Sequence, residues 1–352
     1  MKVLMIGVDR TSVGGMLTVV DNYLNDKSFC DYTHLEYIPS VVNSSNFQKI
    51  VFFIKALCVI TWKIFIKHYD VVHIHMSTRT SVWREGIIAR VSNFLGSKVL
   101  IHIHADVEPW VDSLSAKKQR LVSYLLSSAD TIALLGFKWE PFIRRITKGN
   151  VKIRVLYNAV FAPDVNYYNV ESKKIIFLGM LTPLKGINEI LEAVQQIDSK
   201  IPQDIEFNLY GADKNHNIEE LINQYGVSKR IKYCGWLTPK DKPACFKDAL
   251  ICLLPSYTEA LPMTILETMA YGIPNIATPV GAIPEVITSG ENGILIEPKS
   301  SGQLADAILS LLQSKKLLKT FSNKAFETIQ NKFSIEKNLA GTISLYEFML
   351  KQ

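Results

Sequence analysis

Pro255-Ser-Tyr-Thr-Glu259-Ala-Leu-Pro-Met263-Thr-Ile-Leu-Glu267-Thr-Met-Ala270-Tyr-Gly272-Ile-Pro274 sets two carboxylates eight residues apart. From Ile265 to Tyr271 apolar residues recur at helical spacing, and Gly272 with Pro274 supplies a regular stop. Glu267 is therefore expected on a helix and Glu259 in the loop that feeds its N-terminus. Eight helical residues rise about 12 Å. Carboxylates that work together across one bond stand roughly 5 to 9.5 Å apart. This pair suits the two ends of an extended ligand better. Backbone N–H groups near the helix start, at Leu261, Met263 and Thr264, are where unsatisfied donors and the helix dipole favour an anion. As bare residues, Glu259 is a solvated loop charge and Glu267 a helix-surface charge; only the surrounding sequence argues otherwise.

Outward from this stretch, β-branched runs alternate with longer helical patterns, the rhythm of doubly wound α/β sheets. Val3–Val8, Val71–His75, Val99–His104, Thr131–Leu135 and Val151–Leu156 read as buried strands. A second series comprises Lys174–Leu178, Ile205–Tyr210, Ile231–Cys234, Leu250–Leu254, Asn275–Ala277 and Gly293–Ile296. A chain of 352 residues exceeds one comfortable core. Two Rossmann-like domains are expected, residues 1–165 and 166–334, with a linker near Pro163–Ser172. Each should bind ligand at the carboxyl ends of its strands. The five scattered cysteines show no CxxC spacing, which disfavours a disulfide framework or zinc knuckle and fits a reducing cytosol. The opening Met1–Gly7 already reads as a strand, with no cleavable leader, and no apolar run is long enough to span a bilayer.

After the first strand, Gly14-Gly15 stands at a strand-to-helix turn, where the backbone can approach a bound group closely. The loop lacks GxGxxG, and no acidic residue follows at the distance a dinucleotide ribose needs, so a dehydrogenase is disfavoured.

Taken with its flanks, the Glu259–Glu267 block resembles the Glu-x7-Glu signature of retaining glycosyltransferases of the GT-B fold, above all family 4. The match includes Pro255-Ser256, Leu261-Pro-Met263 and Met269-Ala-Tyr-Gly272-Ile-Pro274. The resemblance implies two Rossmann-like domains facing a central cleft: an N-terminal acceptor domain, a C-terminal donor domain, and a last helix within 335–352 packing back on the first. It implies a nucleotide-diphosphate sugar as donor substrate and no cofactor. Glu259 would meet the donor-sugar hydroxyls, Glu267 the ribose, and Gly15 the diphosphate. Phe177-Leu-Gly-Met-Leu-Thr-Pro-Leu-Lys185-Gly186 resembles a family stretch that supplies an Arg and a Lys to the diphosphate. Lys185 is present; Met180 replaces the Arg. Gly235-Trp236 resembles the family's base-binding region, and Asn158, Gly281 and Glu285 fall on further matching positions. The likeness is dense only in the second domain.

Two His-x-His pairs, His73/His75 and His102/His104, sit on strands, so each pair points to one face. Four imidazoles invite a metal, but no cysteine or acidic pattern completes a site, and none is expected. The resemblance places His104 against the transferred sugar and leaves the others as core or wall residues. Lys49–Tyr69 reads as a basic amphipathic helix, with Lys49, Lys55, Lys63 and Lys67 within a third of its circumference and Trp62 near their edge. It suits either core packing or an anionic membrane interface.

The formal net charge of +6 favours anionic partners, but no aromatic-and-basic motif supports nucleic acid. The expected activity is metal-independent, retaining transfer of a sugar to a saccharide or lipid-linked saccharide, in the cytoplasm or on the inner membrane face, in bacterial polysaccharide or lipopolysaccharide assembly. A sugar-nucleotide epimerase and a non-catalytic nucleotide-sugar-binding subunit are the alternatives.

Overall fold

The computed structural model describes residues 1–10, 14–214 and 217–351. The chain divides into two compact units, Met1–Asn158 with Ile335–Gln352, and Ala159–Ser334. The boundary lies a few residues before the one read from sequence. Residues 159–165 belong with the second unit because Val160 bridges to Ser334 and donates its N–H to the Phe333 carbonyl at 3.0 Å.

The first unit carries a six-stranded sheet in the order β2-β1-β3-β4-β5-β6. Its strands are β1 Val3–Val8, β2 Glu36–Val41, β3 Val71–Met76, β4 Lys98–Ile103, β5 Thr131–Leu134 and β6 Lys152–Val155. All pairings are parallel. The inner strands are buried along nearly their whole length, which explains their continuous apolar runs. Strand β2, Glu-Tyr-Ile-Pro-Ser-Val, escaped the sequence reading because Pro39 and its half-buried residues carry no strand signature. It lies at the sheet edge, where a proline is tolerated.

Helix Ile335–Leu350 closes this unit. Tyr346 lies 2.6 Å from His73 Nδ1, Thr342 Oγ1 lies 3.2 Å from the Tyr23 hydroxyl, and Asn338 donates to the Tyr157 carbonyl at 2.7 Å.

The second unit's sheet runs β12-β11-β10-β7-β8-β9, again all parallel. Its strands are β7 Lys174–Leu178, β8 Glu206–Tyr210, β9 Ile231–Tyr233, β10 Ala249–Leu254, β11 Asn275–Ala277 and β12 Gly293–Leu295. In chain order this reads 6-5-4-1-2-3, with the reversal between β7 and β10. At such a switch point the loops after neighbouring strands part to opposite sides and leave a ligand crevice. Each unit is thus a Rossmann-like doubly wound layer.

Candidate functional site

At the switch point of the second sheet, two loops meet. After β7, residues 179–186 end in a short 3-10 turn, Pro183–Lys185, followed by Gly186. After β10, residues 255–262 lead into helix Met263–Ala270. The helix starts two residues earlier than the apolar spacing indicated, and Leu261 precedes it as a buried loop residue. Tyr257 N–H donates to the Leu184 carbonyl at 2.9 Å and stitches the loops together.

Glycine makes this contact possible. Gly186 has φ 75°, and a Cβ there would lie 2.2 Å from the Pro255 carbonyl oxygen. On the far side, Gly281 has φ 61°, and a Cβ would lie 2.3 Å from the Ala260 carbonyl oxygen and 2.4 Å from that of Glu259. Ala282 N–H donates to the same Ala260 carbonyl at 2.8 Å. The backbone around Glu259 is clamped from both sides.

The clamp places charge. Lys185 Nζ donates to Glu259 Oε1 at 2.5 Å, and Ser256 Oγ donates to the same oxygen at 2.8 Å. Both side chains are largely withdrawn from solvent, which strengthens their attraction relative to an exposed pair. Close by in sequence, Tyr257 donates its hydroxyl to the buried Glu189, and burial together with that carboxylate pushes the Tyr257 phenol up to about 12. This pair was invisible in the sequence because its members are 68 residues apart.

Helix Met263–Ala270 begins after Pro262 with no side-chain cap and no acidic residue in its first turn. Thr264 Oγ1 donates to the Leu178 carbonyl at 3.2 Å and fastens that turn to the end of β7. One turn further, Glu267 receives Lys242 Nζ on both oxygens at 2.7 Å. Its carboxylate is therefore engaged by an ion pair, where the sequence reading had kept it for a ligand. Lys242 went unnoticed because it stands in the short helix Lys242–Lys247, far outside the motif. Gly235 follows β9, accepts from Gly211 N–H at 2.8 Å, and precedes the exposed Trp236. Met180 is exposed and brings no charge to the loop where an arginine was awaited.

In the first unit, Gly14 precedes helix Gly15–Asn25 and accepts from Leu17 N–H at 3.1 Å; Thr11 to Val13 lie outside the described residues. His104 follows β4, and its Nε2 lies 2.8 Å from His75 Nδ1. Burial, reinforced by His102 and His75, holds the His104 imidazole well below its ordinary value and keeps it neutral. His73, His75 and His102 form the group of side chains that could hold a metal ion among the described residues.

Helix Asn46–Lys67 opens with a Ser45–Gln48 capping box. It buries Ala56, Ile60 and Ile64, while Phe47, Trp62 and Phe65 are 76%, 62% and 63% exposed. Ile50 and Ile54 are exposed between them, completing an apolar stripe at helical spacing on the side away from the core. Lys63 and Lys67 both pair with Glu36 of β2, so they are not the free basic rim that sequence spacing suggested. Among the described residues no helix is long and apolar enough to cross a membrane.

Comparison with known proteins bears on the family likeness and the fold. Residues 163–328, almost all of the second unit, match the family model of glycosyl transferases group 1. An uncharacterized glycosyltransferase of Methanocaldococcus jannaschii is 27% identical over 99% of this chain and 98% of its own length. An uncharacterized 41.2 kDa protein in the cps region of Klebsiella pneumoniae is 24% identical over 86% and 88%. The fold matches sucrose-phosphate synthase from Thermosynechococcus elongatus with a TM-score of 0.81 at 19% identity, covering 99% of each chain. It matches Anabaena HepE in complex with UDP at 0.78 and 16% identity, over 99% of this chain and 100% of that one.

Proposed function

From the premise that this chain has the GT-B fold and resembles group 1 glycosyl transferases in sequence, we propose that it moves a sugar from a nucleoside diphosphate sugar to a hydroxyl of a saccharide acceptor, retaining the anomeric configuration without a catalytic metal. One observation carries this reading: the Lys185–Glu259 pair, clamped at the switch point of the second sheet beside a helix start that no side chain caps. An isolated ion pair on a surface would need no such clamp.

In this reading the second unit takes the donor. Lys185 and the N–H groups at Met263 and Thr264 face the diphosphate and offset the charge it gains as the bond to the anomeric carbon breaks. On donor binding, Lys185 would exchange Glu259 for a phosphate oxygen. Glu259, so released, accepts from the sugar hydroxyls. Glu267 accepts from the ribose hydroxyls while Lys242 keeps it oriented, and Gly235 borders the base. From the first unit we assign His104 to the transferred sugar and Gly14 with Gly15 to the diphosphate; a neutral imidazole can donate or accept there. The acceptor oxygen bonds to the anomeric carbon on the face the diphosphate leaves, and its proton passes to the departing phosphate.

The apolar stripe of helix 46–67, with Lys55 at its edge, supports an anionic bilayer as this unit's docking surface and a lipid-linked saccharide as acceptor. The Klebsiella relative in a cps region and a fold match to the lipopolysaccharide outer core galactosyltransferase WaaB, with a TM-score of 0.71 at 17% identity, support surface polysaccharide assembly as the setting.

The test is a thermal-shift panel of UDP, GDP and ADP on wild type and Glu267→Ala, followed by transfer assays with the sugar of the binding nucleotide. A hundredfold excess over the dissociation constant stabilises by about 2.7 kcal/mol. The expected result is a shift with one nucleotide, UDP being the first probe, weakened in Glu267→Ala. No shift with any nucleotide would overturn the donor site. Binding without transfer would leave a nucleotide-sugar-binding subunit, and an altered free sugar without acceptor would indicate an epimerase.

A further inference from the structure

Four of the seven histidines stand on one face of the first sheet. His75 of β3 pairs directly with His102 of β4; His73 lies two residues before His75 on β3, and His104 lies two residues after His102, just past the end of β4. His73, His75 and His102 are fully buried, under helix Ile335–Leu350 and beside Tyr23. Aliphatic side chains fill such a position in neighbouring strands at no polar cost, so three buried imidazoles ask for a reason.

Each ring is held by one nitrogen. His73 Nδ1 lies 2.6 Å from the Tyr346 hydroxyl, His75 Nδ1 lies 2.8 Å from His104 Nε2, and His102 Nε2 lies 3.1 Å from the Leu156 carbonyl oxygen. The other nitrogens, His73 Nε2, His75 Nε2 and His102 Nδ1, are buried and have no protein partner. A carbonyl oxygen only accepts, so His102 carries its proton on Nε2 and a bare lone pair on Nδ1. For His73 and His75 the outer partners allow the same division, with Nδ1–H donating outward and the lone pair on Nε2. Burial keeps all three rings neutral: His102 is lowered to about 4, and His73 and His75 fall well below their ordinary value.

One ligating nitrogen from each of the three rings lies within 4.8 Å of the others. A triangle of that side puts each nitrogen at most about 2.8 Å from a common centre, against roughly 2.0–2.1 Å for a zinc–imidazole bond. Binding would draw the three rings inward to close that difference. Ring nitrogens oriented from behind by a carbonyl, a hydroxyl and a second imidazole are arranged as metal-ligating histidines are.

We propose that His73, His75 and His102 bind one divalent d-block cation of the zinc class through His73 Nε2, His75 Nε2 and His102 Nδ1, with a water in the fourth position. Nitrogen-only donors select Zn²⁺, Co²⁺ or Ni²⁺ over the oxygen-seeking Mg²⁺ and Ca²⁺. The ion ties β3 to β4 and, through His73 and Tyr346, the sheet to the last helix. The site is structural and does not depend on the transferase reading. A lone water could donate to two of the three lone pairs; the cation satisfies all of them.

The test uses the full chain, stripped with a chelator and titrated with Co²⁺ alone at neutral pH. The expected result is saturation at one equivalent with the intense visible bands of four-coordinate cobalt, displaced by Zn²⁺ and lost in His102→Gln and His75→Gln. The surface variant His34→Gln/His68→Gln keeps them. X-ray absorption of the zinc-loaded wild type, which needs no variant to fold, should show a first shell containing three imidazoles. Absent saturable binding, binding that survives His102→Gln, or a six-oxygen zinc shell would each overturn the proposal.

Discussion

In the second unit the polar residues gather beyond the strand ends, in loops clamped by glycines around Lys185 and Glu259. The first unit instead places imidazoles inside its sheet, beneath the last helix. Both sheets are parallel, six-stranded and buried, so the difference is one of position along the strand. A charged side chain past a strand end can exchange its protein partner for a ligand. A polar side chain within the sheet must be satisfied where it stands, because no solvent reaches it. Chemistry is thus expected at the loops of the second unit, and structural cohesion from the interior of the first.

The largest expected effect breaks the clamp. Gly281→Ala combines a left-handed backbone with a Cβ thrust against two carbonyl oxygens, and should destabilise the chain by on the order of 4 kcal/mol in urea unfolding. Gly290→Ala, at φ 86° but with nothing within 4 Å, should cost only about 1 kcal/mol. Equal losses would show that space around Glu259 is not what the glycine provides.

Next comes the charge itself. Lys185→Met should lower kcat roughly 100- to 1,000-fold while costing only about 1–2 kcal/mol in urea unfolding, from the Glu259 carboxylate left without its cation. A comparable loss of stability with little loss of rate would make the pair structural and erase the contrast between the units.

Helix 46–67 gives a smaller effect. Trp62→Ser with Phe65→Ser removes two exposed aromatics and should weaken partition onto anionic phospholipid vesicles roughly 100-fold, with activity on a water-soluble acceptor unaffected. Unchanged vesicle binding would remove the membrane assignment.

The smallest effect concerns the edge of the first sheet. Partial burial raises the Glu36 carboxyl, but hydrogen bonds from Lys63 and Lys67 outweigh it and lower the group to about 2. A depressed carboxyl stabilises fully above its unfolded value near 4.5, and that contribution is lost as pH falls from there toward 2. Because the pair is half-exposed, Glu36→Gln should cost only about 1 kcal/mol at pH 7, with the gap to wild type closing between pH 4.5 and 2. A pH-independent gap would point to lost packing instead.

How much was legible in the sequence follows from the range of the interactions. The buried strands announced themselves as continuous apolar runs, and β2 did not, since an edge strand with Pro39 has no such run. Lys185 and Glu259 could be named singly from their motifs. Their contact spans 74 residues and exists only because β7 and β10 are neighbours. Lys242 on Glu267 and Tyr257 on Glu189 were missed for the same reason. The lysines of helix 46–67 were counted correctly around the helix, yet their partner Glu36 sits on the strand that went unread.

The sequence by itself determined the two doubly wound layers, the loop-and-helix setting of Glu259 and Glu267, and the likeness to group 1 glycosyl transferases. These rest on periodicity, on glycine and proline punctuation, and on motifs confined to a few neighbouring residues. Tertiary structure alone decided which charges meet, which ring nitrogens are left without partners, and which face of helix 46–67 is bare. Those properties depend on strand order and on the last helix returning to the first unit, and segments far apart in the chain become neighbours only when the whole core closes.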